Sequence, residues 1–271
     1  MIRLALRVAR ADAEIVLAEL LELAPAGVEE VDRGPDVEYA VYGAPGELPA
    51  LPALRAAAGR SLVDITTTEI ADDWSERWRS FHQPVTIGER LHVRPPWADP
   101  PGPGLLDIAI DPAQAFGTGA HDTTRLCLEA MLELEPAGAL LDLGCGSGVL
   151  AIAARKLGWE PVLGLDHERE SVAATRANAA VNGADVEVRR YDLLRDGPPP
   201  GAPVVVANLL RPLLAHLAEQ GFAGEQPRVL VAGGLLAHEA DAVAAAFARH
   251  GPLRERARRH GGEWATLTLA I

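Results

Sequence analysis

Residues 140–158 read LLDLGCGSGVLAIAARKLG, and the fold of most of the chain follows from them. Leu140, Leu141 and Leu143 surround one acid in a short apolar run, the pattern of a strand buried on both faces in a parallel sheet. Glycines follow at alternate positions, Gly144, Gly146 and Gly148, and an Ala-rich helix begins at once. Glycine accepts positive φ and carries no Cβ, so such a turn lets a ligand come close and presents free N–H groups to it at a helix N-terminus. Strand, turn and helix in this order place a nucleotide-like ligand at the carboxyl edge of a doubly wound sheet. The turn is not the GxGxxG of dinucleotide folds, because Val149 stands where the third glycine would be. The spacing is instead Asp142-x-Gly144-x-Gly146-x-Gly148.

Downstream, helical segments alternate with short apolar runs, PVLGLD, VEVRRYD, PVVVANLL, RVLVAGG and WATLTLAI. This alternation predicts a mostly parallel sheet with helices on both faces. Asp166 ends PVLGLD, where an acid accepts the ribose hydroxyls of a bound nucleotide. Asp192 follows the next strand, either as an acceptor for the base or as an ordinary loop residue. Asn208 ends VVVAN. Upstream, His121-Asp122-Thr123-Thr124 opens a helix, and read alone this is plain capping chemistry. ERLHVRP and LLDIAID, separated by PPWADPPGPG, read as a hairpin with a long loop.

Residues 1–68 read differently. Strands at IRLALRV, GVEEVDRG, VEYAVYG and LVDITTTEI, with helices in DAEIVLAELLELA and LPALPALRAAAG, give the order βαββαβ of a ferredoxin-like α+β domain. It holds no catalytic constellation, which suits a recognition module or a purely stabilising one. A linker helix is expected over 69–84, with Trp74, Trp78 and Phe81 on one side. The domain assignment is thus 1–68, 69–84 and 85–271.

Composition narrows the function classes. Two cysteines and eight scattered histidines offer neither a disulfide framework nor metal-ligand spacing, so no metal is expected. A net charge of −13 disfavours direct binding to nucleic acid and suits a basic protein partner, or serves solubility alone. No apolar run is long enough to span a membrane and no signal peptide is visible, so the expected location is the cytoplasm.

The acid and alternate glycines of residues 142–148 resemble the first signature of class I methyltransferases, which have a Rossmann-like fold and use S-adenosylmethionine. From DDWSERWRSFH through AIDPAQAFGTGAHDTT, LLDLGCGSGVLAIAARKLG, LGLDHERESVAATRANAAVNG, VVVANLL and VAGGLLAHEADAV to GEWATLTL, the chain is similar to the bacterial ribosomal protein L11 methyltransferase family. The resemblance implies methylation of amino groups on that ribosomal protein and an N-terminal substrate-recognition domain. It also implies cofactor contacts at Thr124, Gly144, Gly146, Asp166 and Asn208, with the AFGTGAHDTT loop near the methionyl end. The family's usual Thr-His-Pro-Thr-Thr is Ala120-His121-Asp122-Thr123-Thr124 here, and Leu209-Leu210-Arg211 follows Asn208 where Ile-Leu is commoner.

Asn208 also lacks the Pro-Pro-Tyr that stacks a planar acceptor in related enzymes, which points to a flexible amine such as a lysine side chain or an N-terminal amine. A lysine of another protein, or a small molecule, stays open as acceptor. No residue is named as a catalytic base; His121 is the nearest, and reads better as a loop residue bonded to backbone. Oligomeric state is not legible.

Overall fold

The computed structural model describes residues 2–13, 16–17, 20, 28–43, 48, 51–69, 83–112 and 121–271. The chain divides into two compact units, Met1–Phe81 and His82–Ile271. The expected linker helix, with its Trp74, Trp78 and Phe81 stripe, falls almost wholly on residues 70–82, outside the described residues.

In the first unit, strands β1 (Ile2–Ala9), β2 (Glu29–Arg33), β3 (Asp36–Gly43) and β4 (Leu62–Glu69) form one sheet in the order β2-β3-β1-β4. Every neighbouring pair is antiparallel. Helical residues Ala13, Val16, Leu17 and Leu20 lie between β1 and β2, and helix α1 (Leu51–Ala58) between β3 and β4. This is the ferredoxin-like order that the segment pattern predicts. Side chains alternate across a strand. Leu4, Leu6 and Val8 of β1 accordingly join Val16, Leu20 and Leu54 in the core. Arg3 and Arg7, on the other face, pair with Glu38 and Asp64.

The second unit opens with a small sheet of β5 (Val85–Ile87), β6 (Leu91–Arg94) and β7 (Leu106–Ala109). Here the sequence expectation needs correction. β6 and β7 run parallel, and the hairpin joins β5 to β6. Residues 95–105 are long enough to return the chain to the starting end, as a parallel connection requires. Arg94 holds that return, donating to both carboxylate oxygens of Asp107 at 2.8 and 2.9 Å and to the Ala98 carbonyl at 2.7 Å.

Helix α2 (Asp122–Leu132) leads into the main sheet. Its strands are β8 (Leu140–Leu143), β9 (Val162–Asp166), β10 (Glu187–Arg190), β11 (Val204–Asn208), β12 (Val229–Leu236), β13 (Arg254–Gly261) and β14 (Trp264–Ala270). Between them stand α3 (Val149–Leu157), α4 (Arg169–Val181), α5 (Arg211–Gln220) and α6 (Ala240–His250). The order is β10-β9-β8-β11-β12-β14-β13, with the first five parallel and β14 antiparallel to both its neighbours. Leu140, Val206 and Val231 face the core that includes α2 and α3, while Leu141, Val205 and Leu230 face α5 and α6. Burying each such side chain contributes roughly 2 kcal/mol.

Strand β13 was not anticipated. Its sequence, RERARRHG, has no apolar alternation. It forms the edge of the sheet, bonded to β14 alone, where charge is tolerated and discourages further strand pairing.

Candidate functional site

The strand order reverses between β8 and β11, the place where α/β sheets open a crevice at their carboxyl ends. Every residue of β8 is buried. The chain then turns through Gly144, Gly146 and Gly148 with φ of 79, 53 and 84°, values that a side chain makes costly. At Gly144 a Cβ would also sit 2.4 Å from Cδ2 of Leu209.

The N–H groups of this turn are not free, contrary to the sequence expectation. Those of Gly144 and Cys145 donate to the Leu165 carbonyl at 2.8 and 3.0 Å, and that of Gly148 to the Cys145 carbonyl at 2.7 Å. Gly146 donates to Oδ2 of Asp166 at 2.9 Å. The turn is thus stitched to β9, a need of the sheet that overrides the anion-cradle pattern. Its glycines supply room and not donors.

Asp142 lies wholly buried under the turn. Its Oδ2 accepts the Ala151 N–H of α3 at 3.0 Å, and its Oδ1 has no partner. Burial pushes this carboxyl up to about 7. Its role here is to brace the first turns of α3. Asp166, by contrast, reaches the cleft. Its oxygens accept from Gly146 and, at 3.0 Å, from the Glu168 N–H. Each carboxylate oxygen keeps a lone pair after these bonds, so a diol remains a suitable donor to it.

Asn208 ends β11, and its Nδ2 lies 3.4 and 3.5 Å from the hydroxyls of Thr123 and Thr124 at the start of α2. His121 caps that helix, accepting the Thr123 N–H at 3.3 Å, and its ring meets Trp264 edge-on at 5.2 Å. This is the loop role favoured for it over that of a base. The AFGTG part of the preceding loop lies outside the described residues.

Two adjoining cavities follow the carboxyl edges of β8, β9 and β11. One, of about 190 Å³, is lined by Thr124, Gly144, Gly146, Asp166 and Asn208 among others. The other, of about 260 Å³, is lined by Tyr191, Asp192, Leu193 and Leu194. They share Gly144, Asp166, His167, Leu209 and Leu213. All five residues expected to hold a cofactor therefore border one cavity, and Asp192 borders its neighbour. Asp192 is also a turn residue, accepting the Leu194 N–H at 3.0 Å.

Sequence reading missed Gly233 and Gly234. A Cβ on Gly233 would lie 3.3 Å from Oδ1 of Asn208, and one on Gly234 2.5 Å from the Leu209 carbonyl oxygen. The pair leaves space for the end of β11, where register along β12 also shifts. Two glycines inside an apolar strand were the available signal. Leu209 and Leu213, which wall both cavities, carry no signal beyond being apolar.

The arrangement offers a carboxylate for a diol, an apolar slot beside it, and neutral polar groups at Thr124 and Asn208. It fits a nucleoside with a short polar extension. Among the described residues no group of His, Cys, Asp and Glu forms a metal cluster.

A family described as ribosomal protein L11 methyltransferase (PrmA) matches residues 51–270. The chain is 37% identical to the proteins named ribosomal protein L11 methyltransferase of Burkholderia vietnamiensis and of Burkholderia lata, over 91% of each chain. A crystal structure of a ribosomal protein L11 methylase from Lactobacillus delbrueckii subsp. bulgaricus superposes with a TM-score of 0.61 at 29% identity. It covers 70% of this chain and 98% of that one.

Proposed function

The chain belongs to the ribosomal protein L11 methyltransferase family, and from that premise we propose that it methylates amino groups of ribosomal protein L11 with S-adenosylmethionine as donor, held in the paired cavities. One observation carries the placement: Thr124, Gly144, Gly146, Asp166 and Asn208, from four separate segments, border a single cavity. Asp166 accepts the ribose hydroxyls, the Tyr191–Leu194 slot takes the adenine, and Thr124 and Asn208 receive the polar methionyl end.

The donor supplies an activated methyl on a sulfonium, so the protein contributes position more than chemistry. Its task is to seat a neutral amine in line with that methyl. A lysine amine has an unperturbed pKa near ~10.4 and reaches the site as an ammonium, so it must give up a proton on leaving water. The neutral side chains of Thr124 and Asn208 neither hold that proton electrostatically nor accept it, and water takes it. Residues 1–68 serve to dock the protein substrate, with 69–84 as the link and 85–271 as the transferase. No helix among the described residues is long and apolar enough to cross a membrane, and the enzyme works in the cytoplasm, where ribosomal proteins are made.

Calorimetric titration with S-adenosylmethionine and, separately, NAD tests the site. Binding of the first and not the second is expected; binding of NAD alone overturns the reading.

A further inference from the structure

Beside Val172, Ala174 and Ala179, the buried face of α4 carries a row of polar side chains that continues into Asn182 at its C-terminal cap. Ser171, Thr175, Asn178 and Asn182 follow one another at spacings of four, three and four, and the first three are at most 4% exposed. A buried amide or hydroxyl is costly unless bonded. Thr175 donates to the Gly146 carbonyl at 2.8 Å. Asn178 donates from Nδ2 to the Ser147 carbonyl at 2.8 Å, and its Oδ1 accepts the Asp111 N–H at 3.2 Å. Asn182 bonds both the N–H and the carbonyl of Ala109, at 2.9 and 2.7 Å.

Asn178 thus bonds the glycine turn, at Ser147, to the segment that follows β7, at Asp111. Asn178 therefore fixes Asp111 relative to the turn that holds Gly146, whose N–H bonds Asp166. We propose that Asn178 is a positioning residue for the methyl donor, acting through the Ser147 carbonyl on one side and the Asp111 N–H on the other. The inference rests on the donor site described above. Asn182 anchors β7 itself, at Ala109, and bonds the Asn178 carbonyl without touching the turn, which makes it the natural control.

The test compares Asn178→Ala with Asn182→Ala by donor titration, melting temperature, and the split between donor KM and kcat. Asn178→Ala is expected to weaken donor binding and raise donor KM about tenfold, the scale of one lost buried hydrogen bond, with kcat changed by less than about twofold. Asn182→Ala is expected to lower the melting temperature while donor affinity stays within about twofold. If Asn178→Ala does not fold, Asn178→Asp keeps the oxygen facing Asp111 but sets a carboxylate against the Ser147 carbonyl, and the same loss is expected. Unchanged donor affinity in the Asn178 variant, or an equal loss in both alanine variants, overturns the proposal. A wild-type protein that binds no donor instead refutes the site itself.

Discussion

The two main sheets of this molecule treat charge in opposite ways. The antiparallel sheet of the first unit packs its apolar cluster on one face, and the other carries ion pairs over the small residues Ala5 and Ala40: Arg3 with Glu38 at 2.7 Å and with Glu29 at 3.4 Å, Arg33 with Glu38 at 3.1 Å. Those arginines hold the Glu38 carboxyl below its usual range. The parallel sheet of the second unit is covered on both faces, and β8 carries a single carboxylate, Asp142, that burial raises to about 7. In this sheet the wholly buried carboxylate sits beneath the glycine turn, while Asp166 ends β9 at the cleft.

Changes at the turn should therefore have the largest effects. Gly144→Val combines a positive φ with a clash against Leu209, and donor titration should show no measurable binding. Asp166→Ala removes the acceptor for the diol and should weaken donor binding at least about a hundredfold, since buried charged hydrogen bonds are the strong ones. Removing residues 1–68 should leave donor affinity nearly intact while methylation of L11 collapses; undiminished methylation would end the docking role of that unit.

Asp142 gives a subtler, pH-dependent contrast. Its pKa of about 7 in the fold lies above the ~3.9 of an unfolded aspartate. Between those values the native state binds the proton more tightly than the unfolded chain, so stability falls as pH rises; the penalty is absent below about pH 4 and complete above about pH 7. Asp142→Asn keeps an oxygen for Ala151 and cannot ionise. Its melting temperature should gain on wild type between about pH 5 and pH 8, and a constant difference would show that the carboxyl is not perturbed. Smallest of all, Arg3→Ala should cost about 1 kcal/mol in urea unfolding, because part-exposed ion pairs contribute little.

How much of this was legible beforehand varies by region for physical reasons. The βαββαβ order and the parallel sheet were readable because apolar periodicity follows burial directly. β13 was not, since an edge strand of arginines is held by main-chain bonds to β14 and by ion pairs of Arg258 and Arg259 with residues distant in sequence, neither of which shows as apolar periodicity. The direction of β7 was hidden because a Pro- and Gly-rich loop looks alike whether it reverses the chain or returns it. At the site, the five expected residues do converge, but the donor groups of the glycine turn are used inside the protein, and the room made by Gly233 and Gly234 was not foreseen. Neighbours far apart in sequence decide both, by hydrogen bonds in the first case and by steric clearance in the second.

The central claim is that this enzyme transfers methyl groups to one ribosomal protein. Incubating it with isotopically labelled S-adenosylmethionine and the full set of unmethylated ribosomal proteins, followed by mass spectrometry, tests that directly. The label should appear on amino groups of L11 and disappear with Asp166→Ala. Label confined to a different protein, or none at all from an enzyme that binds the donor, would contradict it.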